Sequence, residues 1–450
     1  MAVITLAQAA QWCGGFVEEQ YQNITFSGAS NDSRTICAGQ LFVALVGARD
    51  GNEFAPMAFQ KGAAAVLTSR RDLPYPAIVV EDPRIALGQI AAALRQKIGM
   101  KVVGVTGSVG KSTTKEMIAA VLEGDFIVSK TPANFNNDLG LPMAILDMGE
   151  DTQVAVLEMG MSHFGEISYL SHIAKPDLGV ITNIGTMHME NLGSQEGILQ
   201  AKLEICDGMS DGAALHLFGD DVHLWSARER LNRPVLYFGR QDHLDLKAVD
   251  VRQEENVLRF DVCAGAVRFP VALPLEGEHY VSDALAAISV GLAFGVTPQR
   301  IADRLSRFRN MAGRQEIFEV NGVIVIKDCY NAGPESMVAA LKVLGARPGR
   351  HIAVLGDMLE LGSITPQAHQ NVGRAAAQYA HRLLTIGPNG AFVAQGAREQ
   401  GMQEQNIRLF NDRDCMAQAL RELCQPGDVL LFKGSHGMHM ELVLEKFLSN

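Results

Sequence analysis

The sequence predicts an α/β protein of three domains, with doubly wound parallel sheets forming its centre and its C-terminal part. Three observations predict it. A chain of 450 residues suits two to four domains at about 150 residues each. Short, continuous apolar runs bounded by glycine recur with helical stretches between them, the pattern of strands buried on both faces of a parallel sheet. That alternation breaks once, between 246 and 273, where alternate residues turn polar, as in antiparallel strands at a sheet edge.

The first block, residues 1–99, mixes short strands (40–45 and 77–80) with Gly- and Pro-marked turns and ends in an amphipathic helix over 85–98. The second, 100–314, opens with a strand over 102–105 and continues with strands over 154–157 and 178–181. Its antiparallel edge carries the alternating run 257–262. The third, 315–450, has strands over 323–326, 352–355, 383–386 and 429–432 separated by helices, a Rossmann-like pattern.

Composition excludes several functions. Lys+Arg 39 against Asp+Glu 50 gives a net charge of −11, which argues against a basic nucleic-acid-binding face or a polybasic membrane patch. A local cationic cleft remains compatible with it. The first basic residue is Arg34, so no positive region precedes an apolar leader. The longest apolar stretch, 284–296, is too short to span a bilayer and reads as a buried helix. Seven scattered cysteines without a C-x-x-C support neither a disulfide framework nor a structural zinc site. These features lead us to expect a soluble, cytoplasmic protein without stable membrane insertion.

The strongest motif is Gly107-Ser108-Val109-Gly110-Lys111-Ser112-Thr113, between a strand and a helix expected over 115–122. Glycines let backbone N–H groups approach phosphate oxygens, and the helix N-terminus adds favourable partial charge. Lys111 is expected to neutralise β/γ-phosphate charge and the Ser112 hydroxyl to ligate Mg²⁺. Val105 stands where the longer phosphate-loop string has its first glycine. Glu158, at the end of the run 154–157, is the candidate metal carboxylate. His188 follows the strand ending at Thr182-Asn183; a zinc-deaminase reading of His188-Met189-Glu190 fails for want of P-C-x-x-C.

With these strings in place, the chain resembles the Mur ligase family over nearly its whole length. Asp32-Ser33-Arg34 and the run from Leu41 through Phe42, Gly47 and Asp50 to Phe54 resemble the family's uridine-nucleotide-binding domain. The resemblance implies substrate contacts from Ser33, Arg34, Phe42, Gly47, Asp50 and, further on, Asn136. Thr131-x-x-Asn134-x-Asn136-Asn137 resembles the segment after the ATP loop and places Asn134 and Asn137 near the nucleotide. Glu158 to His163 and Asn183 to His188 resemble magnesium-site segments. Ala201-Lys202-x-Glu204 resembles the segment of the family's carbamylated lysine, which makes Ser112, Glu158, His188 and Lys202 the implied metal set. Gly313-Arg314, Asp328 to Ala332, Gly356 to Gly362 and Lys433-Gly434-Ser435 match in the third domain. They imply Arg314 on the ATP phosphates, with Asp328 on the ribose and Asn331 nearby.

Two departures stand out. Members commonly carry G-x-H-N-x-x-N near adenine, where this chain reads Gly277-Glu278-His279-Tyr280-Val281-Ser282-Asp283. Tyr280 is expected to stack on the base and Asp283 to accept from its exocyclic amine. His436 replaces an arginine often found after Lys-Gly-Ser, making a cation there pH-dependent.

The resemblance implies a monomeric, ATP- and Mg²⁺-dependent amide ligase that closes on its ligands, with Lys111, Lys202, His188 and Arg314 catalytic. The strings are most similar to the branch that adds D-alanyl-D-alanine to UDP-N-acetylmuramoyl-tripeptide, a step in peptidoglycan precursor synthesis, through an acyl phosphate. The alternatives are a family member adding a diamino acid and a phosphate-loop NTP-binding module without ligase activity.

Overall fold

The computed structural model describes residues 1–449, and after a two-stranded antiparallel pair, Ile4–Thr5 with Thr25–Phe26, three larger sheets follow one another along them. The first has four parallel strands in sequence order, Ala29–Ser30, Leu41–Val43, Ala65–Thr68 and Ala77–Val79. The second has nine strands. Its parallel body includes Lys101–Thr106, Val154–Glu158 and Leu178–Ile181, and Leu246–Glu254, Val257–Ala264 and Val267–Leu273 form the expected antiparallel edge. The third has six strands, parallel except for the hairpin of Glu316–Val320 with Val323–Asp328.

Strand alternation fixes what the first sheet offers a ligand. Leu41 and Val43 face a core that continues through the helix Pro83–Ile98 (Leu87, Ile90, Leu94) into Leu141, Ile167 and Leu170 of the second block. Phe42, one residue out of phase, faces a small separate core with Ile36, Ala44, Ala58 and Val66. Its ring is 1% exposed. The expectation that Phe42 contacts substrate is therefore corrected: its side chain is consumed in packing.

Register brings the functional loops together. In the central sheet, Val105 pairs with Glu158 and Thr106 with Ile181, so three strands end side by side. The strand runs on to Thr106, which explains Val105: it is a buried strand residue, and the phosphate loop starts only at Gly107. Gly110, at φ 86° in the left-handed region, ends the loop, and the helix begins at Lys111, four residues before the expected start. In the third sheet, Asp328 pairs with Lys433 and Leu355 with Lys433 on the other side.

In the C-terminal domain, the helices Thr365–Tyr379 and Gly390–Glu399 meet through reciprocal glycines. A Cβ on Gly373 would collide with the Val393 carbonyl oxygen, and one on Gly396 with that of Gln370. Because these obstacles are backbone atoms, the helices themselves would have to separate. Gly373→Ala should lower the C-terminal domain's stability by about 3 kcal/mol, outweighing the ~1 kcal/mol alanine contributes as a helix former. A urea-unfolding midpoint at or above wild type would refute this packing account.

Candidate active site

The phosphate loop is held from the strand beside it. Asn183 binds Val109 twice, its Oδ1 accepting from the Val109 N–H at 2.9 Å and its Nδ2 donating to the Val109 carbonyl at 2.9 Å. Thr182 Oγ1 donates to the same carbonyl at 2.6 Å. The Gly185 N–H donates to Ser108 Oγ at 2.9 Å. Gly107 has no room for a Cβ because Thr182 Oγ1 occupies that space. The loop is thus set before any anion arrives, with helix N–H groups at its end unpaired within the helix.

Lys111 Nζ folds back onto its own loop, donating to the Gly107 carbonyl at 2.8 Å and the Ser108 carbonyl at 3.2 Å. Burial pushes its ammonium below the usual lysine range; Glu158 opposes that shift and Arg314 adds to it. Ser112 Oγ donates to Glu158 Oε2 at 2.7 Å. The other carboxylate oxygen accepts from Asn136 Nδ2 at 2.9 Å, and the buried Lys115 lies 3.8 Å from Oε2. Thr113, next in sequence, is buried as well.

The junction with the C-terminal domain reaches the same hydroxyl. Arg314 Nη2 donates to Ser112 Oγ at 2.8 Å, while the guanidinium lies 4.1 Å above the Tyr330 ring. Asp328 Oδ2 accepts from Lys433 Nζ at 2.6 Å, and that ammonium also donates to the Asn331 carbonyl at 2.9 Å. Asn331 Oδ1 accepts from the Ala332 N–H. These residues line one cleft of about 600 Å³, together with Asn136, Asn137, His188 and Glu335.

Lys202 lies in the helix Gln195–Leu203 and is 2% exposed, where most helix lysines are solvated. No hydrogen bond or ion pair engages it among the described residues. Burial drives its ammonium well below the usual range, and nearby Lys111 drives it further. His188 is in the left-handed region at φ 62°, and its Nδ1 stands 2.8 Å from Glu360 Oε2 of the C-terminal domain.

Some expected residues lie outside the cleft, and others line it while bonding to the protein. Asn134 is exposed and outside the cleft lining, while Asn137 Oδ1 accepts from the Gly140 N–H at the start of a helix. Tyr280 is buried, and its hydroxyl accepts from Asn310 Nδ2 at 2.9 Å. The ring beside it, His279, is exposed and also lines the cleft, and the sequence reading passed over it. Asp283 backs the phosphate loop: its Oδ1 accepts from Thr114 Oγ1 at 3.0 Å and fills the space a Gly110 Cβ would need. Both residues line the cleft, and these bonds occupy the Tyr280 hydroxyl and one Asp283 carboxylate oxygen. Ser33, Arg34, Gly47 and Asp50 do not line this cleft. Ser33 is buried, the exposed Arg34 pairs with Asp32, and Asp50 caps the turn Gly51–Phe54.

A nucleotide-phosphate cradle whose cations are divided between two α/β domains defines an enzyme that activates one substrate with an NTP while holding another. The chain belongs to the Mur ligase family: residues 105–291 match the Mur ligase middle domain and 313–436 the Mur ligase, glutamate ligase domain. A UDP-N-acetylmuramoyl-tripeptide--D-alanyl-D-alanine ligase of Bacillus subtilis (strain 168) is 39% identical, over 97% of this chain and 96% of that protein. A crystal structure of MurF from Acinetobacter baumannii has a TM-score of 0.92 at 31% identity, covering 100% of both chains. The MurF ligase from Thermotoga maritima in complex with ADP has a TM-score of 0.83 at 30% identity, over 94% of this chain and 97% of that one.

Asp283 gives the site a pH signature. Burial pushes its carboxyl up to about 7, against the pull of Thr114 and Arg314. Between about pH 4 and 7 the folded protein keeps a proton that the unfolded chain, with a carboxyl near 4, has released. Stability therefore falls as pH rises through that window. Asp283→Asn keeps the acceptor for Thr114 and removes the charge. It should match wild type near pH 4 and exceed it at pH 8, by on the order of a few kcal/mol. Equal urea midpoints for the two proteins at pH 8 would contradict the assignment.

Proposed function

We propose that this chain joins D-alanyl-D-alanine to UDP-N-acetylmuramoyl-tripeptide at the expense of ATP, giving ADP and phosphate, in the cytoplasm and as a monomer. One observation carries the reading: end-to-end likeness to ligases of that name, over a cleft where Ser112 is bound by Glu158 of the central domain and by Arg314. The domain boundaries fall at 99/100 and 314/315.

Amide formation from a carboxylate in water is uphill, so the carboxylate first needs a leaving group. The tripeptide's terminal carboxylate oxygen attacks the γ-phosphorus of ATP, the bond to the bridging oxygen breaks, and ADP leaves. The D-alanyl-D-alanine amine then attacks the acyl carbon of the resulting acyl phosphate, and phosphate departs with the carbon–oxygen bond pair.

Every stage crowds anionic oxygens, so stabilisation by fixed cations is the main requirement. Lys111 and Arg314 exchange their present contacts, loop carbonyls and a hydroxyl, for phosphate oxygens. Asp328 and Asn331 face the ribose side of the cleft. Ser33, Arg34, Gly47 and Asp50 serve the uridine nucleotide on the N-terminal domain.

The donor set suits Mg²⁺, which takes one or two carboxylates and otherwise keeps phosphate and water oxygens. The described residues contain no cluster of three or more His, Cys, Asp or Glu arranged for a metal. Ser112 and Glu158 would hold one ion, and His188, with Lys202 as a carbamate, a second. Bound there, the ions neutralise phosphate charge. Lys202 is suited to carbamylation because burial disfavours its charged form and a neutral amine is nucleophilic toward CO₂, while the carbamate would set a negative charge beside Lys111.

With ATP and Mg²⁺, phosphate release should require both UDP-tripeptide and D-alanyl-D-alanine, and omission of either should stop sustained turnover. Turnover with a diamino acid and UDP-dipeptide would instead assign the other branch, and release indifferent to both substrates a simple NTPase. Lys202→Ala should lower kcat by at least 100-fold, the scale of losing a preorganised charge-stabilising group. Full activity in that variant would remove the carbamate from the mechanism.

A further inference from the structure

Residues 185–190 of the central domain are gripped along their length by the C-terminal domain. Glu335 Oε1 accepts from the Thr186 N–H at 3.1 Å and from its hydroxyl at 3.0 Å. Gly333 has no room for a Cβ beside the Met187 side chain, and Gly362 none beside the Glu190 backbone. Between these contacts His188 Nδ1 meets Glu360 Oε2 at 2.8 Å. Both residues are non-glycine and left-handed, at φ 62° and 61°. Such conformations cost free energy and persist where the surroundings impose them.

The surroundings of Glu360 do impose its place. The Met358 N–H donates to His369 Nε2 at 3.0 Å, and the Leu359 N–H to Ser435 Oγ at 3.0 Å. The Ser435 N–H donates to the Asp357 carbonyl at 3.0 Å. Asp357 Oδ2 accepts from both the backbone and side-chain nitrogens of Asn389 at 3.0 Å. A loop fixed from three sides presents one carboxylate to one imidazole nitrogen across the domain boundary. His188 Nδ1 is buried, and at 2.8 Å the carboxylate stands off the N–H axis, so a small ring rotation completes the bond.

A metal-ligating histidine almost always gives its second ring N–H to a carboxylate, carbonyl or water, which fixes the tautomer and aims the free lone pair. We propose that Glu360 is the positioning residue for His188: it takes the Nδ1 proton, leaves the Nε2 lone pair toward the cleft, and so makes the second ion's site complete only when the C-terminal domain is closed. The ion's site belongs to the function proposed above, and the inference rests on that reading. Glu360 itself touches neither ion nor phosphate in this scheme. Nothing in the sequence motif around Glu360 distinguishes this role from that of an exposed loop acid; the cross-domain geometry does.

Three readouts test it on the full chain. In metal-free protein, ¹⁵N-labelled histidine should show His188 protonated at Nδ1 in wild type, and a mixture of tautomers in Glu360→Ala. Mn²⁺ binding to the ADP complex, followed by electron paramagnetic resonance, should weaken about 10- to 100-fold for one ion in Glu360→Ala. Glu360→Gln keeps an acceptor for the Nδ1 proton and should recover most of the loss, which a purely structural role of the charge would not allow. In a His188→Ala background, Glu360→Ala should cost nothing more for that ion. Unchanged Mn²⁺ affinity and tautomer in Glu360→Ala, or additive losses in the double variant, would overturn the proposal. If Glu360→Ala fails to fold, the Gln variant decides: affinity and tautomer within about twofold of wild type support it, and loss equal to that of His188→Ala overturns it. A wild-type ADP complex that binds no Mn²⁺ would overturn the underlying reading, and this inference with it.

Discussion

A surplus of positive charge with too few anions to match it governs this structure. Around Ser112 the chain gathers Lys111, Arg314 and the buried Lys115 and Lys202; Lys115 pairs with Glu116, and Glu158 is the carboxylate that Ser112 and Lys111 meet. Lys111 is reduced to bonding its own loop carbonyls, and Lys202 has no partner at all among the described residues. Concentrated like charges disfavour the compact state unless something neutralises them. A bound polyphosphate would supply the missing negative charge.

The sheets deliver these groups with little help from long loops. Adjacent parallel strands end together, so a one-residue register difference separates the Gly107 turn, Glu158 and Thr182-Asn183. The third sheet repeats the device with Asp328 and Lys433 as direct neighbours. Between the sheets, Gln315 Nε2 donates to the Glu276 carbonyl, and Arg347 pairs with the Glu276 carboxylate in a largely buried site. That tie holds the connecting end of the two domains while residues 185–190 take up the other side. A buried pair of this kind fixes geometry more surely than it adds stability.

How much of this was legible in the sequence depended on the range of the interaction. The phosphate loop, the strand-end Glu158 and the antiparallel edge are local patterns, and all three stand where periodicity and glycine spacing put them. Lys202 was visible only through resemblance, since a lysine in a helix ordinarily signals a wet surface. Phe42 misled because a strand residue inside a matched string can serve packing alone, and only the alternation of Leu41 and Val43 onto the other face reveals it. The bonds of Tyr280 and Asp283 were illegible for a related reason: their partners, Asn310 and Thr114, are distant in sequence. Glu335 and Glu360 were illegible because their meaning lies in another domain.

Division of the site between domains also has a chemical logic. An acyl phosphate in open water hydrolyses, so the intermediate must form in a space that solvent leaves as the reactants enter. A cleft within one rigid domain would have to be either open enough to admit a UDP-linked peptide or closed enough to protect the intermediate. A cleft lined from both domains can satisfy both needs, because Arg314, at the junction between them, already reaches Ser112 while Asp328 and Lys433 line the cleft from the C-terminal side. The strained pair His188 and Glu360 extends that arrangement to the far side of the cleft. Charge neutralisation, ligand geometry and exclusion of water are thereby all drawn from residues that meet at the boundary between the two domains.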